Sequence, residues 1–217
     1  MSIGEKIMDS RQLKQIYIDN LKAKSGLEQH RPYLGMSGIS QCPRLLYTQF
    51  TNGRGYQPIR DHWMCRIGYL WQHEALDLLG AVNPKESEIV ASFDARFRGH
   101  TDWETPDGEL AEIKSVSYEK FIDVFTTRRV IRSHYEQVAL YIRHGGYPRC
   151  HVMYVARDVP ESAWQGDVIR DCGGIPVWVI SVGPNREVAD RLDEKAKMVL
   201  AAIDRGEAPH CVCGRCR

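Results

Sequence analysis

The stretch GHTDWETPDGELAEIKS, residues 99–115, decides how this chain is read. Thr105-Pro106-Asp107-Gly108 is a turn signal, because proline presets φ and glycine tolerates a positive one. The flanking runs become the arms of a hairpin, with Asp102 ending one arm and Leu110 to Val116 forming the other. Side chains alternate faces along a strand, so Glu112 and Lys114 share one face and Ile113 takes the other. The hairpin can bring Asp102 beside Glu112. Two converging carboxylates make a hard oxygen site suited to Mg²⁺ or Mn²⁺. Lys114 beside that site can orient or help deprotonate a water and offset the charge of a phosphate, as metal-assisted phosphodiester hydrolysis requires. An acid followed by Glu-x-Lys also arises by chance in exposed hairpins, so the flanking sequence has to decide.

Upstream, Ile89, Val90, Phe93 and Phe97 predict a strand running into Gly99. Before it, residues 59–80 predict a helix with a broad apolar face of Trp63, Ile67, Leu70, Trp71, Leu78 and Leu79; Gly80 ends it, and Asn83 and Pro84 break the chain. Ser40 can cap a short helix through Tyr47, with Pro43 near its start, and residues 25–40 are loop-like. Residues 5–24 predict a polar-rich helix with Ile7, Leu13, Ile16, Ile18 and Leu21. Downstream, residues 133–144 predict a helix, CHVMYVA (150–156) and VWVISV (177–182) two strands, and residues 184–205 a helix with Val188, Leu192, Ala196, Val199 and Ile203 on one face. Strands and helices in this mixed order predict an α/β fold, a central mixed sheet with helices on its faces.

The chain's 217 residues, 43% of them hydrophobic, suffice for one core, which predicts a single domain over 1–217. A formal net charge of +1 excludes a bulk-charge route to nucleic acid, so any basic surface must be local. Residues 114–157 supply one: Lys114, Lys120, Arg128, Arg129, Arg132, Arg143, Arg149 and Arg157 stand against Glu119, Asp123 and Glu136. Tyr118, Phe121 and Phe125 interleave with these charges, which suits a single strand, though a solvated helix face with apolar anchors has the same composition. No apolar run is long enough for a membrane span, and MSIGEKIMDSRQLKQ has no apolar secretory segment; the expected location is the cytoplasm.

Three motifs in order around the hairpin carry a family resemblance. The "GHTD" and "EIK" elements resemble the core motif of the PD-(D/E)xK nucleases in its RecB-like branch, without the proline before Asp102. GYLWQH, residues 68–73, resembles the helix motif that supplies a metal-ligating histidine, here His73; seen alone, His73 reads as a core histidine. QVALY, residues 137–141, matches the QxxxY helix motif of that branch. Gln137 and Tyr141, four apart, share one helical face and can bind a phosphate or steady Lys114. The resemblance implies a restriction-endonuclease-like core over about 60–182. It also implies His73, Asp102, Glu112 and the Ile113 carbonyl as metal ligands, Asp102, Glu112, Lys114, Gln137 and Tyr141 as catalytic residues, and DNA as substrate.

Cysteine spacing adds a second site. Cys211, Cys213 and Cys216 crowd the last seven residues, and Cys42 lies in SQCPRLLY, residues 40–47. Four thiolates can hold tetrahedral Zn²⁺ or a [4Fe–4S] cluster. One cysteine before the nuclease core and three after it resembles the iron–sulfur subgroup of RecB-like nucleases, which includes CRISPR-associated, AddB-type and phage exonucleases; their three C-terminal cysteines are more widely spaced than CxCxxC. The resemblance implies a [4Fe–4S] cluster in a cap formed by 40–47 and 207–217, with CRISPR or recombination proteins as partners. Arg44, Arg215 and Arg217 lie near these cysteines and could touch DNA, surface charge being the plainer reading. Cys65, Cys150 and Cys172 match no spacing and read as small buried or surface residues. The resulting expectation is a metal-dependent DNA exonuclease acting on single-stranded ends. Its rivals are a structure- or sequence-specific endonuclease on the same core and a non-catalytic DNA-end-binding adaptor.

Overall fold

The computed structural model describes residues 10–25, 31–53, 55, 57–81 and 87–214; Ile7, Asn83, Pro84, Arg215, Cys216 and Arg217 lie outside them. The elements in chain order are α1 (Ser10–Ser25), β1 (Leu34–Gly35), α2 (Pro43–Asn52), α3 (Ile59–Leu78), β2 (Glu88–Val90), β3 (Phe97–His100), β4 (Trp103–Glu104), β5 (Leu110–Val116), α4 (Tyr118–Thr127), α5 (Arg132–Gly145), β6 (Cys150–Ala156), α6 (Asp167–Asp171), β7 (Val177–Val182) and α7 (Arg186–Arg205). The fold is mixed α/β. No helix among the described residues is long and apolar enough to cross a membrane.

The turn at Thr105–Gly108 forms as its residues dictate: Gly108 takes a φ of 72°, and its amide donates to the Thr105 carbonyl at 2.9 Å. It joins β4 to β5, with Trp103 opposite Ala111. β5 then runs parallel to β6, Glu112 opposite Val152 and Lys114 opposite Tyr154, and β6 pairs antiparallel with β7. The strand order is β4-β5-β6-β7.

The expected central sheet is divided. β3 belongs to a second small mixed sheet of order β1-β3-β2. The run from Ile89 to Phe97 is not one strand: Asp94 accepts the Arg96 amide at 2.8 Å and turns β2 back on β3. The chain leaves one sheet after His100 and enters the other at Trp103, so Asp102 sits in the passage between them.

The two faces of the larger sheet are covered differently. On one, Val116 of β5 and Val152 and Tyr154 of β6 pack in the main core with Val138 and Leu140 of α5 and Leu192, Ala196 and Val199 of α7, all buried. On the other, Ile113 and Val155 meet Leu76 of α3. The expected broad apolar face of α3 is not buried: Trp63, Leu70 and Leu78 are exposed, and Leu76 and His62 are the helix's buried residues. α2 starts at Pro43 with Cys42, not Ser40, in the capping position, and it extends to Asn52. α4 went unforeseen because its aromatics were matched to a nucleic-acid strand. Phe121 and Phe125 are buried, and Tyr118 packs against the core, so they are anchors of α4 and not a stacking platform.

Candidate active site

β5 alternation works as the sequence requires. Ile113 points to the α3 side, while Glu112 faces α5 and is 2% exposed. A carboxylate this deep must be partnered. The Lys114 ammonium donates to Glu112 Oε1 at 2.6 Å and to Gln137 Oε1 at 3.2 Å, and Gln137 Nε2 donates to the same Glu112 oxygen at 2.7 Å. Among the described residues both hydrogen bonds to Glu112 end on Oε1. Gln137 Nε2 also donates to the Tyr141 hydroxyl at 2.9 Å, which in turn donates to the His100 carbonyl at 2.8 Å. The helical spacing of Gln137 and Tyr141 thus places both on one polar chain beside the strand.

Asp102 closes the group from the passage between the sheets. Its Oδ2 accepts the Ile113 amide at 2.7 Å, and its Oδ1 accepts Gln72 Nε2 at 3.0 Å. An N–H and C=O of one strand residue point to the same edge, so the Ile113 carbonyl is directed to the side where Asp102 sits. β4 has already ended there, with Trp103 opposite Ala111. Asp102, Glu112, Lys114, Gln137 and Tyr141 line one cavity of about 460 Å³.

Charge follows from this packing. Burial disfavours the Lys114 ammonium, but the carboxylates of Glu112 and Asp102 outweigh it and hold the lysine pKa above its ordinary value. Burial, reinforced by the Glu112 charge, keeps the Tyr141 phenol protonated well above the usual range. Gly99 has a geometric reason: a Cβ there would lie 2.4 Å from the Tyr141 ring.

The structure does not bring His73 into this group. It is exposed on α3 and does not line the cavity. Consecutive helical residues are about 100° apart, and with Leu76 buried against Ile113 the helix presents Gln72 to Asp102. Gln72 and Tyr69, which share a face at a three-residue spacing, both line the cavity and were missed. Arg31 and Arg98, whose guanidinium carbons lie 5.9 and 5.5 Å from the Tyr33 ring centre, also line it. Alternation from His100 could have pointed to Arg98; nothing local marked Arg31. Of the remaining basic stretch, Arg132, Arg143 and Arg149 pair with Glu136, Asp190 and Glu109.

Three of the four cysteines of the second predicted site come together. The Sγ atoms of Cys42, Cys211 and Cys213 lie within 4.8 Å of one another, and those of Cys211 and Cys213 are 3.5 Å apart. Cys42 stands at the start of α2, which packs against α7, and the other two follow α7. Cys216 lies outside the described residues. Cys150 is fully buried and Cys65 donates to the Ser25 carbonyl, away from this cluster.

No protein-family profile matches the sequence, and no curated protein is significantly similar to it. Solved structures do match. An alkaline exonuclease, LHK-Exo from Laribacter hongkongensis, aligns over 82% of this chain and 90% of its own, with a TM-score of 0.59 at 12% identity. The same exonuclease in complex with dAMP gives 0.61 over 83% and 92%, again at 12% identity. A phage-related exonuclease from Haemophilus somnus 129PT gives 0.53 at 11% identity, covering 80% of this chain and 94% of that one. The chain shares their fold. The shared part takes in nearly the whole of each exonuclease, so the likeness is one of entire architecture and not of a single motif.

Proposed function

We propose that this chain is a metal-dependent DNA exonuclease, a single nuclease unit over 1–217 acting on single-stranded ends. The observation that carries the reading is the meeting of Asp102, Glu112 and Lys114 in one cavity, with Gln137 bridging Lys114 and Glu112 and the Ile113 amide holding Asp102. Asp102, Glu112 and the Ile113 carbonyl are the oxygen donors for Mg²⁺ or Mn²⁺. Their all-oxygen chemistry fits a hard cation, and the hydrogen bonds to Glu112 leave its second oxygen for one. When bound, the ion supplies Lewis-acid polarisation of a phosphate oxygen and a more acidic water. The Lys114 ammonium offsets charge on the phosphate as water attacks phosphorus and the bond to the departing nucleoside oxygen breaks. Gln137 holds Lys114 in place, and Tyr141 anchors Gln137 to the His100 backbone. Gln72, not His73, is the α3 residue that steadies Asp102.

The likeness in fold to exonucleases, one of them with dAMP bound, supports release of single nucleotides from an end. The test is digestion of end-labelled linear and of circular single strands with and without Mn²⁺. Loss of label from linear strands alone, with metal, is expected. Equal cutting of circles would make the protein an endonuclease, and no cutting of either would leave the adaptor reading.

We further propose that Cys42, Cys211, Cys213 and Cys216 hold a [4Fe–4S] cluster bracing the chain ends, in a protein that works with CRISPR or recombination partners in the cytoplasm. The closeness of three thiols supports a soft-metal centre. A second reading, structural zinc, is favoured by the sulfur spacing. Zn–S bonds of about 2.3 Å in a tetrahedron separate sulfurs by about 3.8 Å, and Cys211 and Cys213 stand 3.5 Å apart. Visible absorption and metal content of protein purified without oxygen distinguish the two.

A further inference from the structure

α3 has two working flanks. Tyr69 and Gln72 face the cavity around Asp102. Arg60, Met64, Ile67, Trp71 and Glu74, spaced three or four apart, form a second stripe facing away from it. Together with Leu70 this stripe walls a separate groove of about 880 Å³, closed on the far side by Ser117, Lys120, Arg157 and Asp158. Trp71 packs against the cluster of Ile113, Leu76 and Val155 while lining the groove, so the groove wall stands back to back with the catalytic strand. Ser117 follows Lys114 by three residues, roughly 10 Å along an extended chain.

The chemistry of the groove is specific. Its floor and α3 wall offer an indole, a thioether and two branched aliphatic side chains, and Leu70 is 55% exposed. Its rim carries Arg60, Lys120 and Arg157 against the two carboxylates of Glu74 and Asp158. Neither Arg60 nor Lys120 forms an ion pair among the described residues, whereas Asp158 is engaged by the Tyr118 amide at the start of α4. Unpaired cations along an apolar, aromatic wall match a ligand with an anionic backbone and flat apolar bases. A solvent-filled hydrophobic dimple would not need the cations, and an indole beside them suits a single strand of any sequence, since every base has a face to stack.

We infer that this groove holds the nucleotides flanking the scissile phosphate of a single strand, with bases against Trp71 and Met64 and phosphates against Arg60 and Lys120. The inference rests on the nuclease reading and adds a subsite to it. α3 then stands between the reacting phosphate and the bound flank.

The test uses the full chain and a labelled thymidine oligonucleotide, measured twice. Binding without divalent metal reads the groove; cleavage with Mn²⁺ reads the catalytic site. Arg60→Gln with Lys120→Gln lowers the salt slope of binding by about 1.4, two single-strand phosphate contacts. Trp71→Leu, which keeps an apolar contact with Ile113, weakens binding roughly fivefold or more, the value of one stacked base. Both variants leave turnover of thymidine 5′-(4-nitrophenyl phosphate), which has no flanking nucleotide, within about twofold of wild type by the same reasoning. Folded variants that bind the oligonucleotide with wild-type affinity and salt slope overturn the groove, as does a wild-type chain that does not bind it. Binding lost in the variants while wild type cleaves nothing keeps the groove and overturns the nuclease.

Discussion

Lys114 and Glu112 hold each other in a position neither would occupy alone, one a nearly buried carboxylate and the other an ammonium reaching back to it at 2.6 Å. Removing one partner of such a pair leaves the other exposed to the desolvation cost. Two informative substitutions therefore keep shape, Glu112→Gln and Asp102→Asn; Lys114→Ala beside them removes the ammonium outright. Each is expected to lower cleavage by about three orders of magnitude, the scale of losing a preorganised stabilising group. Circular dichroism should stay native. Wild-type turnover by Lys114→Ala would sink the assignment. His134 offers a stability test of the same scaffold. Ile131 N–H donates to the Tyr154 hydroxyl, and His134 Nδ1 lies 3.0 Å from the same oxygen. Burial, then the charges of Lys114 and Lys120, pull the His134 pKa from 6.5 to about 3. Between those values the unfolded chain takes up a proton that the folded chain refuses. Stability is complete above 6.5 and lost as pH falls toward 3. Urea unfolding of His134→Asn should show a shallower acid slope than wild type, by up to about 1.4 kcal/mol per pH unit. Equal slopes would show that His134 titrates normally.

At the scale of elements, α3 is where local reading and structure part company. The helix itself was legible, since residues 59–80 were expected and Ile59–Leu78 is found. Its rotation was not, because apolar side chains surround it and no single stripe dominates; only contact with Ile113 sets the phase. The prediction is a contrast between neighbours. Gln72→Ala, which removes the hydrogen bond from Gln72 Nε2 to Asp102 Oδ1, should raise the Mn²⁺ concentration needed for half-maximal cleavage by roughly tenfold, as loss of a ligand's supporting hydrogen bond does. His73→Ala should leave it unchanged, and the reverse result would restore His73 as ligand. The hairpin and the Gln137–Tyr141 pair were readable because turn chemistry, strand alternation and helical spacing are short-range rules. The β2–β3 turn was hidden by an apolar run that looked continuous, and the side chain that braces it, Arg96, reaches Asp94 beside it and Asp204 of α7 over a hundred residues away. Nothing within a window of sequence reports such a partner. The aromatics of α4 misled for a related reason: composition cannot tell an anchor from a platform until burial is known.

For the whole molecule, the cysteine cluster ties the start of α2 to the segment after α7 across about 170 residues. A crosslink of that span constrains the unfolded chain most. Cys42→Ser should lower the thermal midpoint markedly and remove bound metal, read by iron and zinc analysis, while Cys150→Ser and Cys172→Ser keep it. Metal retained at wild-type stoichiometry after loss of Cys42 would remove the four-ligand site. Residual cleavage per folded molecule should persist, since among the described residues no cysteine lines the catalytic cavity. The divided sheet has an implication of its own. Asp102 belongs to the passage between two sheets, and Glu112 and Lys114 belong to one of them. On the proposed chemistry, a chain with only the larger sheet formed has half a blade. By the same chemistry, cleavage is expected to need both sheets formed, so a chain that has lost the smaller one would be a blunt instrument towards DNA.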